Sequence, residues 1–299
     1  MKKSTTLLVA CTLGLIAFQL VFRFQYYTHL FSRNNLLGNP SAILDLFHGI
    51  LYLSIDVATI VFGVRVLAMS DNNQKEKAYV LFRYLFVIMG IFSIMISTYY
   101  LFLSGELLFR DLLSGIHRLF NWLAEIVFVV LLIREKPEKQ VQKVNLKDYD
   151  LVAFTTGSHR FVHYLLDFLF MLPVFLSLSR MLNTIRYYTR YQFQDWNPVL
   201  FTLCIELFVV FCYLLYYYLS EAIFRQTFGK MITNSCVVSD GVELSNGRVF
   251  LRTLCRLIPF DRIAFLFGAK WHDRASRTAV VYVDTWEKTF DESQPAREA

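Results

Sequence analysis

The stretch VLFTLCIELFVVFCYLLYYYL, Val199 to Leu219, decides how the rest of the chain is read. It is twenty-one residues long and Glu206 is its one charged side chain. A helix needs about 20 predominantly apolar residues to cross the hydrocarbon of a bilayer, so this segment reads as a transmembrane helix that opens just after Asn197-Pro198. Five further stretches have the same character: Thr5–Phe22, Ser41–Met69, Tyr79–Leu103, Arg118–Ile133 (starting as early as Leu112) and Phe161–Leu178. Most carry Tyr or Trp near an end, as belts at the membrane interface do. The expected fold class is therefore an all-α polytopic membrane protein with six transmembrane helices.

Composition agrees. Apolar residues make up 56% of the 299, aromatics 17% and charged residues 18%, against ~45–50% apolar and ~25% charged in a soluble domain. Disordered, collagen-like, coiled-coil and disulfide-rich secreted classes are excluded. The five cysteines, Cys11, Cys204, Cys212, Cys236 and Cys255, are odd in number and form no CxxC, so buried reduced thiols are expected. Lys2-Lys3 before an apolar run resembles a signal peptide. Only about four apolar residues precede Cys11, however, where a signal core has ~7–15, and the run continues to Phe22. An uncleaved first span is expected, without lipidation at Cys11.

The net charge is +6. With the N-terminus inside, twenty-one basic residues fall on inner segments and seven on outer ones, with Arg65 and Arg83 inside spans. That asymmetry predicts both termini in the cytoplasm. The basic excess belongs to cytoplasmic loops and lipid. Nucleic acid is not expected as a partner, because the basic stretches lack interleaved aromatics.

The charged stretch Arg134–Asp150 (REKPEKQVQKVNLKDYD) divides the chain. Residues 1–133 read as a four-helix transmembrane region and 134–150 as a cytoplasmic linker. Residues 151–285 read as a second domain of two transmembrane helices, an interfacial helix and short strands, with 286–299 a polar tail. After the last span, Met231–Val238 has strand character, and Ser239-Asp240-Gly241 is a turn across which Val242–Leu244 could pair back as a β-hairpin. In Arg248–Ile258 (RVFLRTLCRLI), Arg248, Arg252 and Arg256 recur every four residues among apolar neighbours. This predicts an amphipathic helix flat on the inner leaflet, its basic stripe touching anionic lipid. Thr278–Val283 (TAVVYV) reads as a strand.

From about Leu151 to Val283 the chain resembles the RDD family, named for one Arg and two Asp. The carrying motifs are RFVHYLLDFLF (Arg160–Phe170), EAIFRQTFGKMI (Glu221–Ile232), RTLCRLIPF (Arg252–Phe260) and WHDRASRTAVV (Trp271–Val281). Arg160, Asp167 and Asp273 match the signature, with Asp261 the alternative third position. The four-span N-terminal half is not covered. The resemblance implies a bacterial protein of the plasma (inner) membrane, for which transport of some ligand has been suggested.

Ionisable residues inside spans are costly and draw attention to themselves. Arg160, His163 and Asp167 form a seam on one helix face, with Arg160 and Asp167 two turns or roughly 10 Å apart. Asp167 needs a partner, and His272 or Asp273 could return to it. The cluster would either lock the C-terminal domain onto its helix pair or form a cation or proton site. In the second span Asp45, His48, Tyr52, Asp56, Thr59 and Gly63 recur at spacings of three and four. With Asp45, His48 and Asp56 on one face, this is a relay candidate. The alternative pairs Asp56 with Arg65, Arg83 or the helix of Glu125. Glu125, in line with Asn121 and His117, is expected to pair between helices or, with His163, to extend the candidate proton or cation relay, and Glu221 to sit at the inner interface beside Arg225.

No metal-ligand spacing, phosphate loop, dinucleotide fingerprint or nucleophile motif appears, so no metal, cofactor or enzymatic activity is expected. Two functional readings remain: a transporter or ion-coupled permease of an unknown small solute or ion, and a structural or accessory membrane protein that assists assembly or binds lipid.

Overall fold

The computed structural model describes residues 3–33, 40–103, 112–135, 155–192, 198–239, 244–257 and 271–283. Helices dominate, the arrangement that satisfies backbone N–H and C=O groups within each segment. In chain order they are α1 (Lys3–Arg33), α2 (Pro40–Ala68), α3 (Asn72–Leu103), α4 (Leu112–Arg134), α5 (Gly157–Gln192) and α6 (Pro198–Phe224). The short elements that follow are α7 (Phe228–Ile232), β1 (Ser235–Ser239), α8 (Asn246–Cys255), α9 (Trp271–Ser276) and β2 (Thr278–Tyr282). Both α2 and α6 open on a proline, whose missing N–H is no loss in a first helical turn.

Among the described residues four stretches are long and apolar enough to cross a membrane: Gly49–Ala68, Gln74–Thr98, Gly157–Leu182 and Thr202–Phe224. The first expected span is a shorter apolar stretch, Ser4–Leu20, within α1. The fourth falls on α4, which has 23 residues. These candidate spans carry an outward apolar face of the kind that lipid would cover. On α2, Ile50, Leu53, Val57, Val61 and Val64 are all exposed.

The chain forms two compact units. The first comprises Met1–Glu138 with Pro173–Gln192. In it α1 packs on α2 and α4, α2 on α3, and α3 on α4. The tight approaches use glycine. A Cβ on Gly63 would lie 2.6 Å from Leu13 Cδ2, and one on Gly90 2.7 Å from Val129 Cγ2. Polar groups between these helices are satisfied in place. Buried Arg83 donates through Nε to the Leu132 carbonyl at 2.6 Å and through Nη2 to the Ile133 carbonyl at 3.1 Å. It thus closes the C-terminal carbonyls of α4, where a cation is favoured.

The second unit comprises Lys139–Leu172 with Phe193–Ala299. Its sheet is two-stranded among the described residues, and residues 240–243 of the expected hairpin lie outside them. β1 pairs antiparallel with β2, from Ser235 opposite Tyr282 to Ser239 opposite Thr278. Leu244 is not a strand residue. It is buried against Val237 and Val249 and precedes Ser245, whose Oγ accepts the Arg248 N–H and caps α8. β1 is buried along its whole length, Cys236 and Val238 against Ala279 and Val281, and Val237 against Leu244 and Val249. Met231 and Ile232, read as the start of the strand, form the end of α7 instead.

Replacing Arg83 by Met leaves two helix-terminal carbonyls without their donor. Hydrogen bonds to a charged group contribute about 1.5–3 kcal/mol. Thermal unfolding of the purified full-length chain in detergent should report a loss of about 2 kcal/mol. Arg65→Met, at an exposed site on α2, should stay within about 0.5 kcal/mol of wild type.

Candidate functional site

The second unit holds a set of buried charges drawn from five elements. Arg160 and Asp167 come from α5 and Glu221 from the last turn of α6. Lys230 comes from α7, Arg252 and Arg256 come from the end of α8, and Asp273 comes from α9. Asp273 lies between two guanidinium groups. Its Oδ2 is 2.5 Å from Arg160 Nη1, and its Oδ1 accepts from Arg252 Nη1. Arg252 continues inward. Its Nη1 also donates to Thr278 Oγ1 at 2.7 Å, and its Nε is 3.2 Å from Glu221 Oε2. The other Glu221 oxygen takes Lys230 Nζ at 2.5 Å and Arg256 Nη2 at 2.7 Å. Arg256 also stands over the Tyr217 ring at 4.0 Å, a cation–π contact. Glu221 is fully buried and Arg252 is 1% exposed.

Local structure explains how these groups meet. α6 ends at Arg225, whose φ of 58° is the left-handed conformation that stops a helix. The Arg225 N–H closes on the Glu221 carbonyl at 3.1 Å, and its own carbonyl accepts from Val237 N–H at 2.9 Å. The turn therefore sends the chain back as α7 and β1, past the side chain of Glu221. At the other end the Thr155 N–H donates to the Val280 carbonyl at 3.2 Å, and Thr155 Oγ1 accepts from Arg160 Nε. The start of α5 is thereby fastened to β2.

Asp167 stands apart from this ion cluster. Its Oδ1 accepts from the Gly229 N–H at 2.7 Å and from the Tyr216 hydroxyl at 2.9 Å. Asp273 pairs with Arg160, so these two donors stand where Asp273 was expected to meet Asp167. The His272 side chain and Asp261 lie outside the described residues. His163, between Arg160 and Asp167 on α5, is buried, with Nε2 3.1 Å from Ser235 Oγ. The close packing of α7 on α5 depends on Gly229. A Cβ there would overlap the His163 carbonyl oxygen and sit 2.8 Å from its Cα.

The basic stripe of α8 is turned round. Arg252 and Arg256 point into the module and Arg248 donates to Ser239 Oγ. Phe250, Leu251, Leu254 and Leu257 are exposed instead. The reason is Glu221: a carboxylate buried on α6 holds the nearest cations far more firmly than a lipid headgroup in contact with water. Glu221 also differs from the pairing with Arg225 expected from their spacing. Gly229 and Lys230 lay within the EAIFRQTFGKMI motif, but neither they nor Tyr216 and Thr155 were singled out as site residues, because their roles arise from contacts between distant segments.

In the first unit Glu125 is buried and accepts from Gln19 Nε2 at 2.8 Å and Ser93 Oγ at 3.2 Å. It joins α1, α3 and α4. On α2, Thr59 and Gly63 are buried, Asp56 is half-buried, and the Tyr52 hydroxyl meets Ser177 Oγ at 3.2 Å. The side chains of Asp45 and His48 lie outside the described residues.

With the geometry in place, comparison with known proteins adds one finding. Residues 156–276 match the RDD family. The match contains Arg160, Asp167 and Asp273, and lies in the C-terminal half as the motifs suggested. Together with the apolar helices, this match supports association with a membrane. No curated protein and no solved structure matches the chain.

Burial pushes the Lys230 ammonium down to about 8; Glu221 pulls it up, while Arg252 and Arg256 press it further down. Burial alone would lower Arg256 too, but Glu221 holds it above the usual guanidinium value. Lys230 is therefore charged at pH 7. Between about pH 8 and its ordinary value of 10.5, the unfolded chain binds more protons at this site than the folded one, so Lys230 titration favours folding as pH rises. Melting curves of wild type and Lys230→Met between pH 8 and 10 should move apart in favour of wild type. Separately, Gly229→Ala should destabilise the module by about 3 kcal/mol, from overpacking against backbone and a displaced hydrogen bond. Gly247→Ala in α8, where a Cβ meets nothing within 4 Å, should be neutral or stabilising by under ~1 kcal/mol in the same assay.

Proposed function

We propose that this chain is an integral membrane protein of structural or accessory type, whose C-terminal module is held shut by its own buried charges. The observation that carries the reading is the pairing of Arg160 with Asp273, shared with Arg252. Two of the three signature charges face each other within the module. The third, Asp167, accepts a backbone N–H and a tyrosine hydroxyl. Donors fixed in this way suit a folding lock, since breaking a buried pair from one side costs about 3–5 kcal/mol. The proposal includes six crossings, counting α1 and α4, with both termini in the cytoplasm of a bacterium and no catalytic role.

Transport of a small solute or ion is the second reading. Its support lies mainly in the first unit, where Glu125 is buried among Gln19 and Ser93 and Asp56 is half-buried on α2. Acidic groups within spans mark ion pathways in many membrane proteins.

Proteoliposomes separate the two. On the accessory reading, solute- and pH-dependent flux with wild type matches protein-free vesicles, and Asp167→Asn lowers folded yield. Wild-type flux above that background, abolished by Asp167→Asn or Glu125→Gln at unchanged yield, establishes transport instead. A double-mutant cycle on Arg160→Met and Asp273→Asn tests the lock directly. Its coupling energy should fall in the range of about 0.5–3 kcal/mol seen for contacting residues, and a value near zero removes the basis of the reading.

A further inference from the structure

α8 has the reverse polarity of a helix lying against a water-soluble core. Arg252 is buried with Val249 and Thr253, while Phe250, Leu251, Leu254 and Leu257 are exposed. What bathes that exposed face follows from where α8 is fixed. Arg252 and Arg256 both reach Glu221. Arg256 stands over the Tyr217 ring, and the Phe250 ring meets Tyr218 edge to face at 6.1 Å between centroids. Tyr217, Tyr218 and Glu221 all belong to Thr202–Phe224, a stretch apolar and long enough to cross a bilayer. On that same helix Leu203, Leu207 and Phe211 are exposed. The outward apolar surface of α8 thus lies beside the end of a spanning helix whose own outward surface is apolar.

The geometry points to α8 as an interfacial helix whose Phe250–Leu251–Leu254–Leu257 face inserts among lipid acyl chains, with its arginines turned away from the headgroups. Basic amphipathic helices on membranes ordinarily work the other way round: the apolar face enters the lipid and the cations face solvent and anionic headgroups. Here Glu221 and Asp273 take the place of the anionic lipid. Apolar area alone therefore docks the helix, and its docking is independent of membrane charge. The inference requires that α6 cross the membrane. It holds whether the protein transports a solute or not.

The test uses the full-length chain with its native cysteines replaced by alanine, reconstituted in phosphatidylcholine nanodiscs with and without phosphatidylglycerol. Phe250→Cys and, independently, Leu254→Cys carry an environment-sensitive fluorophore. Both side chains are outside the buried cluster, and monodisperse elution confirms folding. Lipids brominated along the acyl chain should remove most of the emission at each position, aqueous iodide should remove little, and phosphatidylglycerol should change neither. Dominant quenching by iodide overturns the inference, as does acyl-chain quenching that appears only with phosphatidylglycerol. Shielding from both quenchers, with the two labels of a pair of copies in close contact, assigns the face to a second copy and equally overturns it.

Discussion

The carboxylate of Glu221 sits without solvent contact in the last turn of an apolar helix, and the C-terminal module is arranged around that fact. Removing an ion from water costs several kcal/mol even after relaxation. The cost is offset only where cations approach with good geometry. Lys230, Arg252 and Arg256 do so from two other segments. Arg252 then extends the cluster to Asp273, and Asp273 to Arg160 at the start of α5. A chain of alternating charges therefore connects α6, α8, α9 and α5. Each link is short, and every group named is largely hidden from water.

This arrangement accounts for features that would otherwise look unrelated. Arg225 adopts a left-handed conformation so that α6 can end and the chain can return past Glu221. Gly229 is required because α7 packs on the backbone of His163 and offers its N–H to Asp167. α8 faces its arginines inward because their counter-charges lie there, and its hydrocarbon is left facing outward. Such a network confers geometry more than net stability, since well-packed apolar residues could be as stabilising. What it contributes is a single way for five elements to dock.

The first unit handles buried polarity differently. Its groups are bonded one or two at a time between neighbouring helices: Glu125 to Gln19 and Ser93, Arg83 to the carbonyls at the end of α4, and the Trp122 indole N–H to Thr98 Oγ1 at 2.8 Å. Small residues supply the rest. Gly63 and Gly90 let helices approach where no hydrophobic driving force acts between them in lipid. Glu125 joins three helices, accepting from Gln19 on α1 and Ser93 on α3.

By itself, the sequence determined the class of fold, because a run such as Val199–Leu219 has few alternatives to a helix in hydrocarbon. It also marked β2, the helix over Arg248–Ile258 and the RDD signature residues, all of which depend on local pattern. Tertiary structure alone decided partners and direction. A period of four in Arg248, Arg252 and Arg256 places them on one face but cannot say which way that face looks; Glu221, distant along the chain, turned it inward. The turn at Ser239–Gly241 suggested a local hairpin, but nothing local announced that β1 pairs with β2, nearly forty residues further along. Asp167 was legible as an acid in need of a partner. That the partner is the backbone of Gly229 was not, because a backbone donor has no side-chain signature, and only packing of α7 on α5 brings it there.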